Sequence, residues 1–317
     1  MLSQHTQHYG ISSRLQEILS LLGQGYVFEE GEEILQQLLG IEVSAKQIQR
    51  VSEHYGQALE QQYAAGKEEP PLLKLKKPEE PVYIMFDGSM VFTREEGWKE
   101  MKVGRIFNES SCISIQESRN QITQSLYVCH LGGHKEFLDK WESYTEPYKN
   151  KICIADGAKW IWNWVEDCYP QAVQILDFFH AVEKIGTYAA IQYPDKPERD
   201  KWMGLQKQRL ENNEANKVVK SMNKSKGRNK EADKARRDAI RYYENNLERM
   251  QYKTYLDKGY LIGSGAIESA HRNVVQQRLK LSGQRWSAKG AQQIVNLRAC
   301  KKSSQWNTVI NLIKSAA

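Results

Sequence analysis

The sequence has little to staple it and no segment suited to a bilayer. Its five cysteines, Cys112, Cys129, Cys153, Cys168 and Cys300, are odd in number, widely scattered and never form a Cys-x-x-Cys pair. That excludes a disulfide framework as the organising principle and leaves reduced, mostly buried thiols as the expectation. No apolar run approaches the roughly 20 residues that cross a bilayer. The opening MLSQHTQHYG also lacks a charged leader followed by an apolar stretch. A cytoplasmic protein with no membrane partner is therefore expected. The most informative scarcity is of acid: after Glu268 there is no Asp or Glu, while Arg272, Arg278, Lys280, Arg285, Lys289, Arg298, Lys301, Lys302 and Lys314 follow. A stretch with that bias needs a polyanion nearby, or a negative surface elsewhere in the protein.

What is present is ordinary for a globular chain. Of its 317 residues 40% are hydrophobic and 26% charged, with a net charge of +6; this supports a real core rather than disorder, and the length suits a main fold with helical additions. Residues 1–65 read as a helical domain, with SRLQEILSLLGQ, FEEGEEILQQLLG and SAKQIQRVSEHYGQAL each apolar at spacings of three and four. Ser44 suits an N-cap, and the link GIEVS resembles the turn of a helix-turn-helix. On that reading Lys46, Gln49 and Arg50 face a DNA groove; a merely packing or dimerising bundle fits the pattern as well. A linker rich in Lys, Glu and Pro covers 66–81.

Beyond the linker the pattern becomes extended. VYIMF (82–86), KEMKVGRIF (99–107) and ITQSLYVCH (122–130) read as three antiparallel strands. A helix over 134–144 follows, then strand KICIA (151–155), helix 158–168, strand AVQIL (172–176) and helix 178–191. This order describes an α/β fold, a mixed sheet of the ribonuclease-H type flanked by helices. Its first part covers 82–193. Residues 194–262 read as an all-helical insertion of two long helices broken near NKSKGRNK, and 263–317 as the last part of the same domain with basic helices.

Asp87 directly follows VYIMF and Asp156 directly follows KICIA, and each precedes a Gly. Both are expected at the end of a buried strand, where carboxylates suit a hard cation such as Mg²⁺. Asp-Gly is also a common turn, and Asp156 serves equally as a cap for the next helix. Glu268 opens a helix, where the dipole favours a carboxylate whatever its role. Together the three resemble the ligand set of two-metal phosphoryl transfer, and the helix bearing Glu268 runs straight into the acid-free basic segment. His130 and His134, four apart, invite a zinc reading, but the two glycines between them favour a plain loop.

The stretches DGSMVFTREEGWKEMKVGRIF (87–107), ADGAKWIWNWVEDCYPQAVQILDFFHAVEKI (155–185) and GSGAIESAHRNVVQQRLKLSGQRWSAKGAQQIVNLRA (263–299) resemble insertion-sequence DDE transposases of the ISKra-like group, within the wider Mutator-like assemblage. The resemblance implies that Asp87, Asp156 and Glu268 are the catalytic triad holding two Mg²⁺ or Mn²⁺ ions. It also makes Asp177 and His180 of LDFFHA the accessory D-x-x-H pair. The implied activity is DNA strand cleavage and strand transfer on double-stranded transposon ends and target, by a homodimer or higher oligomer in the bacterial nucleoid. Arg272, Arg278, Lys280, Arg285 and Lys289 are expected to bind phosphates, and Trp286 either to stack on an unpaired base or to pack in the core. Members of that group often carry a longer, cysteine-bearing N-terminal region, which this sequence does not show. A nuclease without strand transfer and an inactive DNA-binding derivative stand as the alternatives.

Overall fold

The computed structural model describes residues 10–64, 69–116 and 119–315. In chain order it begins with three helices, α1 (Ser13–Gly25), α2 (Phe28–Leu39) and α3 (Ala45–Ala64). Ser12 caps α1 by accepting the Leu15 N–H, and Ser44 accepts the Gln47 N–H at the start of α3, the cap its position suggests. Strands β1 (Val82–Thr93) and β2 (Gly97–Asn108) follow, then a short hairpin of β3 (Cys112–Gln116) and β4 (Arg119–Ile122), β5 (Leu126–Leu131) and α4 (His134–Thr145). Next come β6 (Lys151–Ala155), α5 (Lys159–Cys168), β7 (Val173–Leu176) and α6 (Phe178–Gln192). Four helices succeed them: α7 (Lys196–Glu211), α8 (Ala215–Lys224), α9 (Lys230–Glu244) and α10 (Tyr252–Asp257). The chain ends with α11 (Gly265–Ala270), a π-helical turn His271–Gln276, α12 (Gln277–Leu279), α13 (Ala288–Lys302) and α14 (Trp306–Ser315).

The expected α/β architecture is present as a five-stranded mixed sheet flanked by helices, in the order β5-β2-β1-β6-β7. β2 and β5 pair antiparallel from Met101 opposite Leu131 to Ile106 opposite Leu126, and β6 and β7 pair parallel from Ile152 opposite Val173 to Ala155 opposite Leu176. Several boundaries differ from the sequence expectation. The Asp87-Gly88 pair is not a turn: β1 runs through it for seven more residues and reverses only at Arg94–Glu96. Residues 122–130 are not one strand, because 119–122 belong to the separate β3–β4 hairpin. The two long helices expected in 194–262 are four, since Asn213 adopts a positive φ of 62° that ends α7 early.

The chain divides into two compact units, one formed by Met1–Val82, Phe86–Lys149 and Ala266–Ala317, the other by Tyr83–Met85 and Asn150–Gly265. The sequence reading divides the chain at 65, 81, 193 and 262 instead. In the first unit the N-terminal helices are no separate domain. Leu15 and Leu19 of α1, Leu35 of α2 and Ile48, Val51, Tyr55 and Leu59 of α3 share one buried cluster with Leu297 of α13 and Trp306, Val309 and Ile313 of α14. An amphipathic helix must bury its apolar stripe somewhere, and here the partner comes from the other end of the chain. In the second unit β6 and β7 carry α5 and α6, and the helices α7 to α10 complete it.

Candidate functional site

Asp87 lies where β1 emerges from the core: Val82 to Phe86 are buried, and Asp87 to Ser89 are half-buried before Met90, which is exposed. One carboxylate oxygen accepts the Gly88 N–H at 2.7 Å and the other stands 3.8 Å from Nε2 of His271. His271 is buried, and its Nδ1 lies 3.1 Å from the Ser89 hydroxyl. Burial holds the imidazole below its ordinary pKa, against the opposing pull of Asp87. Glu268 precedes His271 by three residues, which places the two on adjacent positions of one helix face. The exposed Glu268 is therefore carried on a helix that His271 docks against the strand bearing Asp87. Arg105 of β2 holds the same helix from its start, donating to the Ala266 carbonyl at 2.7 Å and to Ser125 at 3.0 Å.

The π-helical turn after Ala270 is stabilised from α13. Buried Arg298 donates to the carbonyls of Asn273 and Val274, and also to Gln24 of α1. Neither His271, Arg105 nor Arg298 was singled out from the sequence as part of a site. The one available signal was the spacing Glu268-x-x-His271.

In the second unit Asp156 directly follows β6, as expected, and accepts the Ala158 N–H at 2.9 Å at the entrance to α5. This is the turn geometry weighed against the ligand reading. Gly157 beside it leaves no room for a side chain, because a Cβ there would stand 2.2 Å from the Tyr242 ring. Burial, and then the charge of Asp156, raise the Tyr242 phenol above its ordinary range.

The D-x-x-H pair acts as a clamp. Asp177 is fully buried, caps α6 by accepting the His180 N–H at 2.7 Å, and accepts the Ser264 N–H with its other oxygen. Burial pushes its pKa up, but the hydrogen bonds from His180 and Ser264 outweigh that and hold it below the ordinary carboxylate value. The Phe178 N–H donates to the Ile262 carbonyl, and the Leu261 N–H to the Tyr83 hydroxyl, so with the Ser264–Asp177 bond three bonds fix the segment that leads into α11. His180 stands 3.4 Å from Asp177 through Nδ1 and is partly exposed.

The basic residues divide. Arg272, Lys280, Arg285 and Lys289 are exposed. Arg278 and Trp286, expected as DNA contacts, lie inside: Arg278 is 1% exposed and Trp286 7%. The Arg278 guanidinium is stacked 4.7 Å from the rings of both Phe28 and Trp286 and donates to the Gly23 carbonyl. Its cation is thus consumed in packing the unit. On α3, Lys46 and Arg50 are exposed, but Lys46 bonds Gln49 and Gln49 donates to Glu53. Beside them Glu29, Glu32, Glu33 and Glu42 line an open groove of about 820 Å³, a negative surface unfavourable to a phosphate backbone.

A family model describing an uncharacterised protein family, UPF0236, matches residues 29–311. The chain belongs to that family. The matched span contains Asp87, Asp156, Glu268, the Asp177 clamp and His271. No curated protein matches the sequence.

Among the described residues, no group of three or more His, Cys, Asp or Glu side chains gathers closely enough to hold a metal ion. None of the five cysteines is in a disulfide, and no helix among the described residues is long and apolar enough to cross a membrane. In donor type Asp87, Asp156 and Glu268 suit Mg²⁺ or Mn²⁺, since each offers hard carboxylate oxygen. In geometry, Asp87 and Glu268 share the first unit and Asp156 belongs to the second.

Proposed function

We propose that the chain is a DDE transposase of ribonuclease-H-like fold that cuts and joins DNA strands, with Asp87, Asp156 and Glu268 as its catalytic carboxylates. The observation that supports this reading is that His271, three residues after Glu268, stands 3.8 Å from Asp87 and 3.1 Å from the Ser89 hydroxyl on β1. The sheet order β5-β2-β1-β6-β7, a three-strand meander followed by a strand-helix-strand unit, supports the fold assignment. Two Mg²⁺ or Mn²⁺ ions held by the three carboxylates would activate the attacking oxygen and stabilise the leaving one.

The chain's own residues do the rest. His271 orients Asp87 through its buried ring, and Arg105 fixes the start of the helix that presents Glu268. The Asp177 clamp fixes the segment before it. Exposed Arg272, Lys280, Arg285 and Lys289 hold phosphates of double-stranded transposon ends and target, in an acid-free stretch that does not repel them. Assembly on paired ends calls for a homodimer or higher oligomer, and the working location is the bacterial cytoplasm at the nucleoid.

The test is incubation with candidate transposon ends, a target plasmid and Mg²⁺ or Mn²⁺, with nicking and joining read on sequencing gels. Asp87→Ala, Asp156→Ala and Glu268→Ala each are expected to lose at least about a thousand-fold in activity, on the scale of removing a group that acts as part of a catalytic unit. Full activity in any of the three would remove that residue from the site. A second reading, an inactive DNA-binding derivative, is favoured by the lack of a three-donor cluster among the described residues. Cleavage by wild type and none by Asp156→Asn excludes it; no metal-dependent cleavage by either, with DNA binding retained, establishes it.

A further inference from the structure

We propose that a pocket between the tip of the β1–β2 hairpin and the loop after α12 receives an unpaired nucleobase of the DNA substrate, an inference that rests on the DNA-processing reading above. Trp98 is 63% exposed, a large aromatic face that a folded protein has no packing reason to leave in water. It meets Phe92 edge to face, at 5.5 Å between ring centres and 85° between planes. The two rings, with Leu281, Gln284 and the cations Lys280 and Arg285, line an open groove of about 320 Å³.

The walls are held in place. The Arg94 N–H donates to the Trp286 carbonyl at 2.8 Å, and the Arg94 side chain to the Arg285 carbonyl at 3.1 Å. The hairpin tip and the loop are therefore tied together before any ligand arrives, which lowers the ordering cost of binding. The acids at the tip are already engaged: Glu95 accepts the Ala288 N–H, and Glu96 pairs with Lys99. The groove itself is lined by apolar side chains with Lys280 and Arg285 among them, and no acid is in its lining. Gln284, whose amide oxygen has no hydrogen-bond partner among the described residues, lies in its wall.

Stacking on an aromatic ring with a neighbouring cation for the phosphate is how proteins take single-stranded nucleic acid. A paired base inside a duplex hides both its faces and cannot enter, so the ligand is a base at a frayed end, a bulge or a flipped position. The alternation along β1 puts Met90 and Phe92 on the face opposite Asp87 and Ser89. Changes at Trp98 consequently leave the surroundings of Asp87 in place.

The experiment compares two labelled duplexes of identical sequence, one fully paired and one carrying a single-stranded 3′ extension with 2-aminopurine, in EDTA so that no strand is cut. Wild type is expected to bind the extended duplex roughly ten-fold more tightly than the paired one and to quench the 2-aminopurine emission, the scale of one stacked base. Trp98→Ala is expected to abolish that preference and the quench while keeping its affinity for the paired duplex and its melting temperature; Trp98→Phe restores part of both. Equal preference in wild type and Trp98→Ala, or no preference in wild type with the paired duplex still bound, overturns the pocket alone. Failure of both duplexes to bind overturns the DNA reading itself.

Discussion

Glu80, just before β1, shows how much a single buried carboxylate can depend on its backbone partners. Burial alone would raise its pKa, but N–H groups of Ser110 and Lys76 donate to it at 2.7 and 2.8 Å, and hydrogen bonding carries it from the ordinary 4.5 down to about 2. A carboxylate with a depressed folded pKa adds stability above its unfolded value and loses it as the pH falls through the folded one. The fold should therefore weaken between pH 4.5 and about 2 through this group. Glu80→Gln is expected to melt lower at pH 7 and to show a flatter decline across that acid window; parallel melting curves for the two proteins would refute the assignment. The same scale separates cations that a count of basic residues cannot. Arg278 and Arg298 look like their exposed neighbours in a list of basic residues, yet both are interior, one stacked between two rings and the other bonded to carbonyls. Spacing identifies charge, whereas only the tertiary fold decides whether its partner is water, a ring or a peptide oxygen. Of the two readings left open for Trp286, the fold gives core packing, at 7% exposure.

Among the elements, α3 and α13 touch backbone to backbone. A Cβ at Gly56 would stand 2.1 Å from the Gln293 carbonyl oxygen, and Asn296 donates to the Gly56 carbonyl at 3.1 Å. Alanine would gain about 1 kcal/mol in helix propensity, but the clash with main chain forces the two helices apart and costs about 1–3 kcal/mol or more. Gly56→Ala should thus lower stability in chemical denaturation despite its better propensity; an unchanged or raised midpoint would contradict the contact. Elements with a strong single period were legible. The strand KICIA stands where expected, and the helix at 178–191 falls within one residue of α6. β1 was legible only to Phe86, because Asp-Gly is turn chemistry that pairing in the hairpin overrides. The π-helical turn at His271–Gln276 left no sequence trace, since its extra residue is stabilised by Arg298 from another helix. Asp87, Asp156 and Glu268 were proposed from their sequence context; that His271, three residues after Glu268, stands 3.8 Å from Asp87 required the fold.

At the scale of the molecule, the sequence suggested a self-contained helical domain over 1–65, and the structure instead gives those helices a shared core with α13 and α14. Periodicity shows that a helix has an apolar face, but not which distant segment covers it. A fragment ending at residue 65 is therefore expected to show little stable helix by circular dichroism and to gain it on addition of a peptide covering 288–317. A cooperatively folding 1–65 fragment would refute the shared core.

That sharing has a consequence for biogenesis. Helices α1 to α3 are matched with α13 and α14, far later in the chain, so their greasy faces wait while the intervening residues are made, roughly 10–50 s at about 5–20 residues per second. During that interval the nascent chain offers a ready target for chaperones, and a prematurely terminated product never hides it. Arrival of α13 and α14 is thus built into the folding of the first unit.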